Sequence, residues 1–337
     1  MNIYIDKPNL LSVVHSAKKE NYNDCMRMLK DNFRIYFTFS KQDIVSLEQN
    51  DKQDVMQWLT QMVSGIKSSN TEPVKWDSAF PARPLDISSF NPEQLSSVYC
   101  LSKDSDPKLQ SHIQKGNLII ASEGQEIEAM TSLFFDSFQF TKDIFDEVSS
   151  WSDLEKYISP CTDIVITDLY IFSSPEIYQQ NIYSLLRVLG SKVKNSKINV
   201  IIFTLKSNYI KEKKTEFEPE WDTIYSKIRK CAEKYSSFNV TFVTASKETL
   251  EEHDRTIFTN YKVFASGDTY NYFNSNGERI TNGRWLHVHS SAIKNNESKA
   301  NKFLQDMQAI IDEIEKKNND RLIKKDRISN FLTFRQQ

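Results

Sequence analysis

DIVITDLYIF, residues Asp163–Phe172, decides how the chain is read. Its apolar residues run almost without a break instead of alternating with polar ones. Such a run is a strand buried on both faces, as a helix-covered parallel sheet requires. Two more runs repeat the pattern, INVIIFTL (Ile198–Leu205) and FNVTFVTA (Phe238–Ala245). The segment between the first two, Pro175–Lys194, sets Ile182, Leu185, Leu186 and Leu189 on one helical face. Glu220–Tyr235, before the third, turns Ile224, Ile228 and Cys231 inward in the same way. Three short strands follow, RTIFTNY (Arg255–Tyr261), KVFASG (Lys262–Gly267) and RWLHVHSS (Arg284–Ser291). A helical stripe of Ala300, Phe303, Leu304, Met307, Ile310, Ile311 and Ile314 comes next, then the charged tail EKKNNDRLIKKDR. The order β-α-β-α-β-β-β-α predicts an α/β sandwich closed by a packed helix.

Upstream the pattern is less regular. MNIYID and FRIYFTFS alternate like strands. Helical stretches are expected over Asn9–Lys30, with a break near Asn21, over Asp51–Ile66 and over Gln125–Phe135. SSVYCLS and NLIIAS read as short strands, and a segment rich in Pro, Ser and Asn between Lys67 and Gln94 reads as an irregular connection. Another amphipathic stretch spans Lys142–Tyr157. The change of character near Ser159 divides the chain into a mixed α/β module, 1–158, and a second α/β domain, 159–337.

Composition excludes several classes. The chain has 337 residues and a formal net charge of -2, so any hold on nucleic acid or an anionic membrane must come from a local patch. Seven glycines supply no phosphate loop of the G-x-G-x-x-G or Walker type. Cys25, Cys100, Cys161 and Cys231 are too scattered for a zinc site or a disulfide framework, and read as reduced thiols of a cytoplasmic protein. No apolar run is long enough to span a bilayer, and no signal peptide is visible.

The chemistry concentrates in EEHDRTIFTNYKVFASGDTYNYF, Glu251–Phe273. His253 and Arg255 are two apart, so on a strand they share a face. Asn260 lies an odd number of residues beyond Arg255 and needs a bend to join them. Gly267 lets the backbone approach closely, and Asn271 follows. An imidazole, a guanidinium and two amides make a cradle for a phosphate. Asp168 is expected at the sheet's C-terminal edge near His253, lining the pocket or capping a turn. Lys206 and Tyr209, in KSNYIKEKK, and Tyr270, in DTYNYF, add a cation and rings that could track phosphates and stack bases. A weaker reading gathers Asp6, Glu126, Glu128, Asp163 and Asp168 around Mg²⁺. Another makes His287 and His289 metal ligands.

His253-Asp254-Arg255, Asn260, Gly267-Asp268 and Asn271 together resemble the half-site of the phospholipase D-like superfamily. That half-site reads His-x-Lys, four residues, Asp, then Gly-Ser or Gly-Gly and Asn. The likeness covers about Asp163 to Ser291 and is nearer to a divergent branch with HDR in place of His-x-Lys. That branch includes the C-terminal domain of MIT-domain proteins, which binds membranes, and segments of bacterial proteins from phage-defence and mobile-element clusters. The resemblance implies a phospholipase D-like fold for the second domain. It also implies a protein that acts on or binds a phosphodiester polymer, nucleic acid first. If the site is active, His253 attacks phosphorus, Arg255 neutralises charge and Asn260 and Asn271 hold oxygens, with no metal or cofactor. The departures are Arg for Lys, Asn260 for Asp and Asp268 for the residue after the Gly. Only one half-site is visible, so activity implies a homodimer or a protein partner. A non-catalytic scaffold or effector subunit and a membrane-surface binder remain as alternatives.

Overall fold

A computed structural model describes residues 2–37, 39, 41–63, 97–100, 119–121, 123–134, 148–193, 197–210, 215–231, 236–245, 250, 255–280, 285–316 and 322–324. The chain is an α/β protein made of two compact units. One comprises Met1–Gln114, Leu118–Phe135 and Ala292–Lys294; the other comprises Lys115–Asn117, Asp136–Ser291 and Asn295–Gln337. The Trp151–Tyr157 turn, which precedes the division expected near Ser159, packs into the second unit, with Trp151 and Leu154 in its core.

The first unit holds strands β1 (Asn2–Ile5), β2 (Arg34–Phe37), β3 (Ser97–Cys100) and β4 (Ile119–Ala121), all parallel, in the order β2-β1-β3-β4. Asp6 ends β1 and caps the helix Lys7–His15, its Oδ1 accepting from the Asn9 N–H at 2.9 Å. The expected break at Asn21 is real: its φ of 63° is left-handed, and a second helix, Tyr22–Asn32, starts there. Helices Gln49–Val63 and Glu126–Phe134 match the remaining helical stretches, while the irregular connection from 67 to 94 lies outside the described residues.

The second unit is built on a seven-stranded sheet. Its strands are β5 (Asp163–Thr167), β6 (Lys197–Leu205), β9 (Ser237–Ala245), β10 (Arg255–Thr259), β11 (Lys262–Ser266), β12 (Leu286–Ser290) and β13 (Leu322–Lys324). The order is β12-β11-β10-β5-β6-β9-β13. β5, β6 and β9 are parallel, and β10, β11, β12 and β13 are antiparallel to their neighbours. Every residue of β5 is buried, which explains its unbroken apolar run. On one face Ile164, Ile166, Val200, Ile202, Val240 and Phe242 pack under the helices Ser184–Leu189 and Trp221–Cys231. On the other, Val165, Ile201, Phe203, Val243 and Phe258 pack under Lys294–Lys316 through Ala300, Leu304, Met307 and Ile314.

Three expectations change. β5 stops at Thr167, not Phe172, because Asp168 turns the chain by accepting from the Tyr170 N–H at 3.0 Å. The Pro175–Lys194 helix is three pieces: a 3₁₀ turn, a π turn at Gln179–Tyr183 and one α-helical stretch. Asn181 marks the π turn and donates to the carbonyls of Ile177 and Phe273 at 2.9 and 2.7 Å. The charged tail supplies β13, and the KSNYIKEKK region opens a hairpin of β7 (Asn208–Ile210) with β8 (Thr215–Phe217).

Candidate functional site

One end of this sheet gathers several of the residues singled out. β5 ends there at Thr167-Asp168, β10 begins with Arg255, β11 ends at Ser266-Gly267 and β12 begins after Trp285. The register fixes the juxtaposition, since Arg255 pairs with Ser266 and Ser266 with Leu286. The segment from Asp268 to Phe273 then straps across the strand ends.

Asp168 anchors the strap. It is 2% exposed, and its Oδ2 accepts from the Thr269 hydroxyl at 2.8 Å and the Tyr270 N–H at 2.7 Å. Burial pushes its carboxyl above the usual carboxylate range, against the donors at Tyr270, Thr269 and Tyr170 and the nearby Arg255 charge. Asp168 therefore caps a turn and ties a loop. Asn271 also serves the strap, its amide nitrogen donating to the Tyr170 carbonyl at 2.8 Å and Ser173 Oγ at 3.3 Å. Tyr270 offers no ring for stacking on a base. It is 1% exposed, packs against Trp151 and Tyr272, and donates its hydroxyl to the carbonyls of Phe264 and Arg255 at 2.9 and 3.2 Å. Both expectations, a substrate contact at Tyr270 and a phosphate-oxygen contact at Asn271, give way to packing and hydrogen-bond demands of the core.

Asn260 is not at this end at all. It follows β10, whose five residues separate it from Arg255 by about 17 Å at about 3.4 Å per residue. Its Oδ1 accepts from the backbone N–H groups of Thr162 and Asp163 at 2.8 and 3.2 Å. The amide thus staples the hairpin to the start of β5, at the opposite end of the sheet. The bend that would carry it back to Arg255 does not form, because β10 pairs in regular register along β5 and β11. Asn260 cannot share a phosphate with Arg255.

Arg255 is half-buried; its carbonyl accepts from Tyr270, and its side chain makes no hydrogen bond or ion pair with any described residue. Its charge acts on Asp168, favouring the ionised carboxylate. His253 lies two residues earlier, outside the described residues. Gly267 is required by its neighbour: a Cβ there would sit 2.3 Å from Trp285 Nε1. Lys206 is exposed beyond the end of β6, and Tyr209 lies in β7.

Trp285 went unnoticed in the sequence, although the alternation of RWLHVHSS carries its signal. Leu286 and Val288 point into the core, so Trp285, His287 and His289 line the other side of β12. The Trp285 and His287 rings meet edge-on at 4.9 Å, and those of His287 and His289 lie 5.8 Å apart. Burial, then His287 and Lys299, depress the His289 imidazole below its ordinary range. The acids grouped around Mg²⁺ do not converge: Asp163 and Asp168 sit at opposite ends of β5, and Glu126 is taken up by the Ser12 hydroxyl and the Gly124 N–H, both at 3.0 Å. Among the described residues no three His, Cys, Asp or Glu side chains gather into a metal site. No described helix is long and apolar enough to cross a membrane. No family model matches the chain, and a search of the curated proteins finds no match.

Proposed function

We propose that the second unit is a phospholipase D-like module that holds a phosphodiester polymer, nucleic acid first, at the sheet end marked by Arg255. The observation that carries this reading is the Arg255 guanidinium itself. It is half-buried at the start of β10, beside Asp168, makes no hydrogen bond or ion pair with a described residue, and follows His253 by two positions. A guanidinium in that state suits bidentate binding of a phosphate. Binding is favoured over cleavage, because Asn260 and Asn271 are spent on the fold.

The test is polymer affinity measured against salt by fluorescence anisotropy. Wild type is expected to bind with a negative salt slope, and Arg255→Ala to weaken binding and flatten the slope by about one charge. A nuclease assay in EDTA, with wild type beside His253→Ala, decides whether the module also cuts. Cleavage that disappears in His253→Ala makes it an enzyme; absent cleavage keeps the binding reading. The second reading, a non-catalytic scaffold for a protein partner, is favoured by the architectural use of Asp168, Asn260 and Asn271. It expects no polymer binding and no effect of Arg255→Ala.

A further inference from the structure

We propose that His287 and His289 together hold a late first-row divalent metal ion, zinc or nickel, on the outer face of β12. The inference is independent of the Arg255 reading and concerns the other face of the sheet. Arg255, Ser266 and Leu286 share one face by register, and Leu286 and Val288 pack into the core there. His287 and His289 alternate with those two and project on the side covered by Lys294–Lys316. Their rings lie side by side, 5.8 Å between centres. With a metal–nitrogen bond of about 2.0 Å and about 1.2 Å more to the ring centre, two imidazoles sharing an ion stand at most about 6.4 Å apart. The pair meets that limit with β12 where it is.

Neither side chain is committed elsewhere. Both are half-buried, yet neither makes a hydrogen bond or ion pair with any described residue. Half-buried polar groups in a fold ordinarily have such a partner. Their neighbours across β11 are Ala265 and Val263, which offer nothing that competes for a ring nitrogen. Trp285 lies edge-on to His287 at 4.9 Å and limits its movement, so less freedom is lost when an ion binds. Imidazole nitrogen selects zinc, nickel or copper; magnesium and calcium take oxygen ligands. With two protein ligands, water fills the remaining positions of the ion. The charge of Lys299 reaches His289 from the covering helix, but Lys299 is exposed and solvent screens it.

The experiment titrates zinc chloride and nickel chloride into the full chain by calorimetry, with magnesium chloride for comparison. Wild type is run beside His287→Ala and His289→Ala, and thermal melts of each variant check the fold. Wild type is expected to bind zinc and nickel but not magnesium. Each histidine variant should weaken binding at least about tenfold, since even outer partners of metal ligands are worth about 10- to 100-fold. A second readout needs no histidine variant. Nickel bound at His287 should quench the emission of Trp285, whose ring touches it, and Trp285→Phe should remove that quenching while nickel still binds. Wild type that binds neither zinc nor nickel would overturn the proposal. So would binding undiminished in both folded histidine variants, magnesium bound as tightly as zinc, or quenching that Trp285→Phe leaves unchanged. None of these outcomes bears on the Arg255 reading.

Discussion

Replacing Asp168 with Ala tests whether this buried carboxylate is part of the fold or a ligand contact. It removes the acceptor for Tyr170 N–H, Thr269 Oγ–H and Tyr270 N–H. Thr269 is half-exposed and can turn its hydroxyl to water, but the Tyr270 N–H is enclosed. Two backbone donors are left short of a partner, at about 1–3 kcal/mol each. Relief of a buried charge offsets part of that sum, which leaves a net loss of about 2–4 kcal/mol. For a unit of this size the melting temperature should fall by roughly 4–16 °C. The assay is thermal and urea unfolding of the full chain, followed by tryptophan fluorescence. Asp168→Asn is the sharper variant. It keeps the shape and removes the charge, but it turns an N–H₂ toward at least one N–H donor. The reasoning expects Asp168→Asn to be destabilised too. An Asp168→Asn protein as stable as wild type, or more stable, would refute it. That is how a carboxylate kept for a ligand, at a cost to the fold, would behave.

The other expectations divide structure from binding. Asn260→Ala should lower stability by about 2–5 kcal/mol, from the two N–H groups it caps at Thr162 and Asp163, and leave polymer affinity unchanged. A loss of affinity at full stability would instead return Asn260 to the site. Gly267→Ala should force the indole off its seat, seen as a shift in tryptophan emission that Trp285→Phe abolishes. An unchanged spectrum would show that the ring does not rest there. His289 has its imidazole depressed in the folded state, so the unfolded chain takes up the proton first as pH falls through about 6.5. Its contribution to stability is present above that pH and is lost as pH falls toward the depressed folded value. His289→Gln should therefore show a shallower loss of unfolding free energy from neutral to mildly acid pH, and parallel curves would count against it.

The sheet was legible because its signal is carried by burial. The unbroken runs at Ile164–Thr167, Val200–Phe203 and Val240–Val243 lie on strands covered on both faces. β13 was hidden for the opposite reason: Leu322–Lys324 sits within a run of charges, and its strand state comes from pairing with β9, not from its own pattern. The site was legible only in part. Spacing along the chain put Arg255 and Asn260 in one cradle, whereas regular pairing of β10 holds them at opposite ends of the sheet. Sequence distance reports a face of a strand well and an end of a strand poorly. Tyr270 looked like a surface ring because DTYNYF is polar around it; the strap tied to Asp168 draws it inward.

The pairing of β5 with β10 has a consequence for how the chain is made. β5 meets β6 after one short crossover, but its other neighbour, β10, arrives some 90 residues later; the Thr167–Thr256 contact spans 89. While the ribosome adds that interval, a strand that is buried along its whole length in the finished protein presents an open edge. Contacts of such long range are slow to form, and unpaired edges are where nascent chains stick to one another. Newly made chains should thus depend on dilution or a holding chaperone until the Arg255–Ser266 hairpin closes the edge. Messages truncated before codon 255 should yield insoluble product.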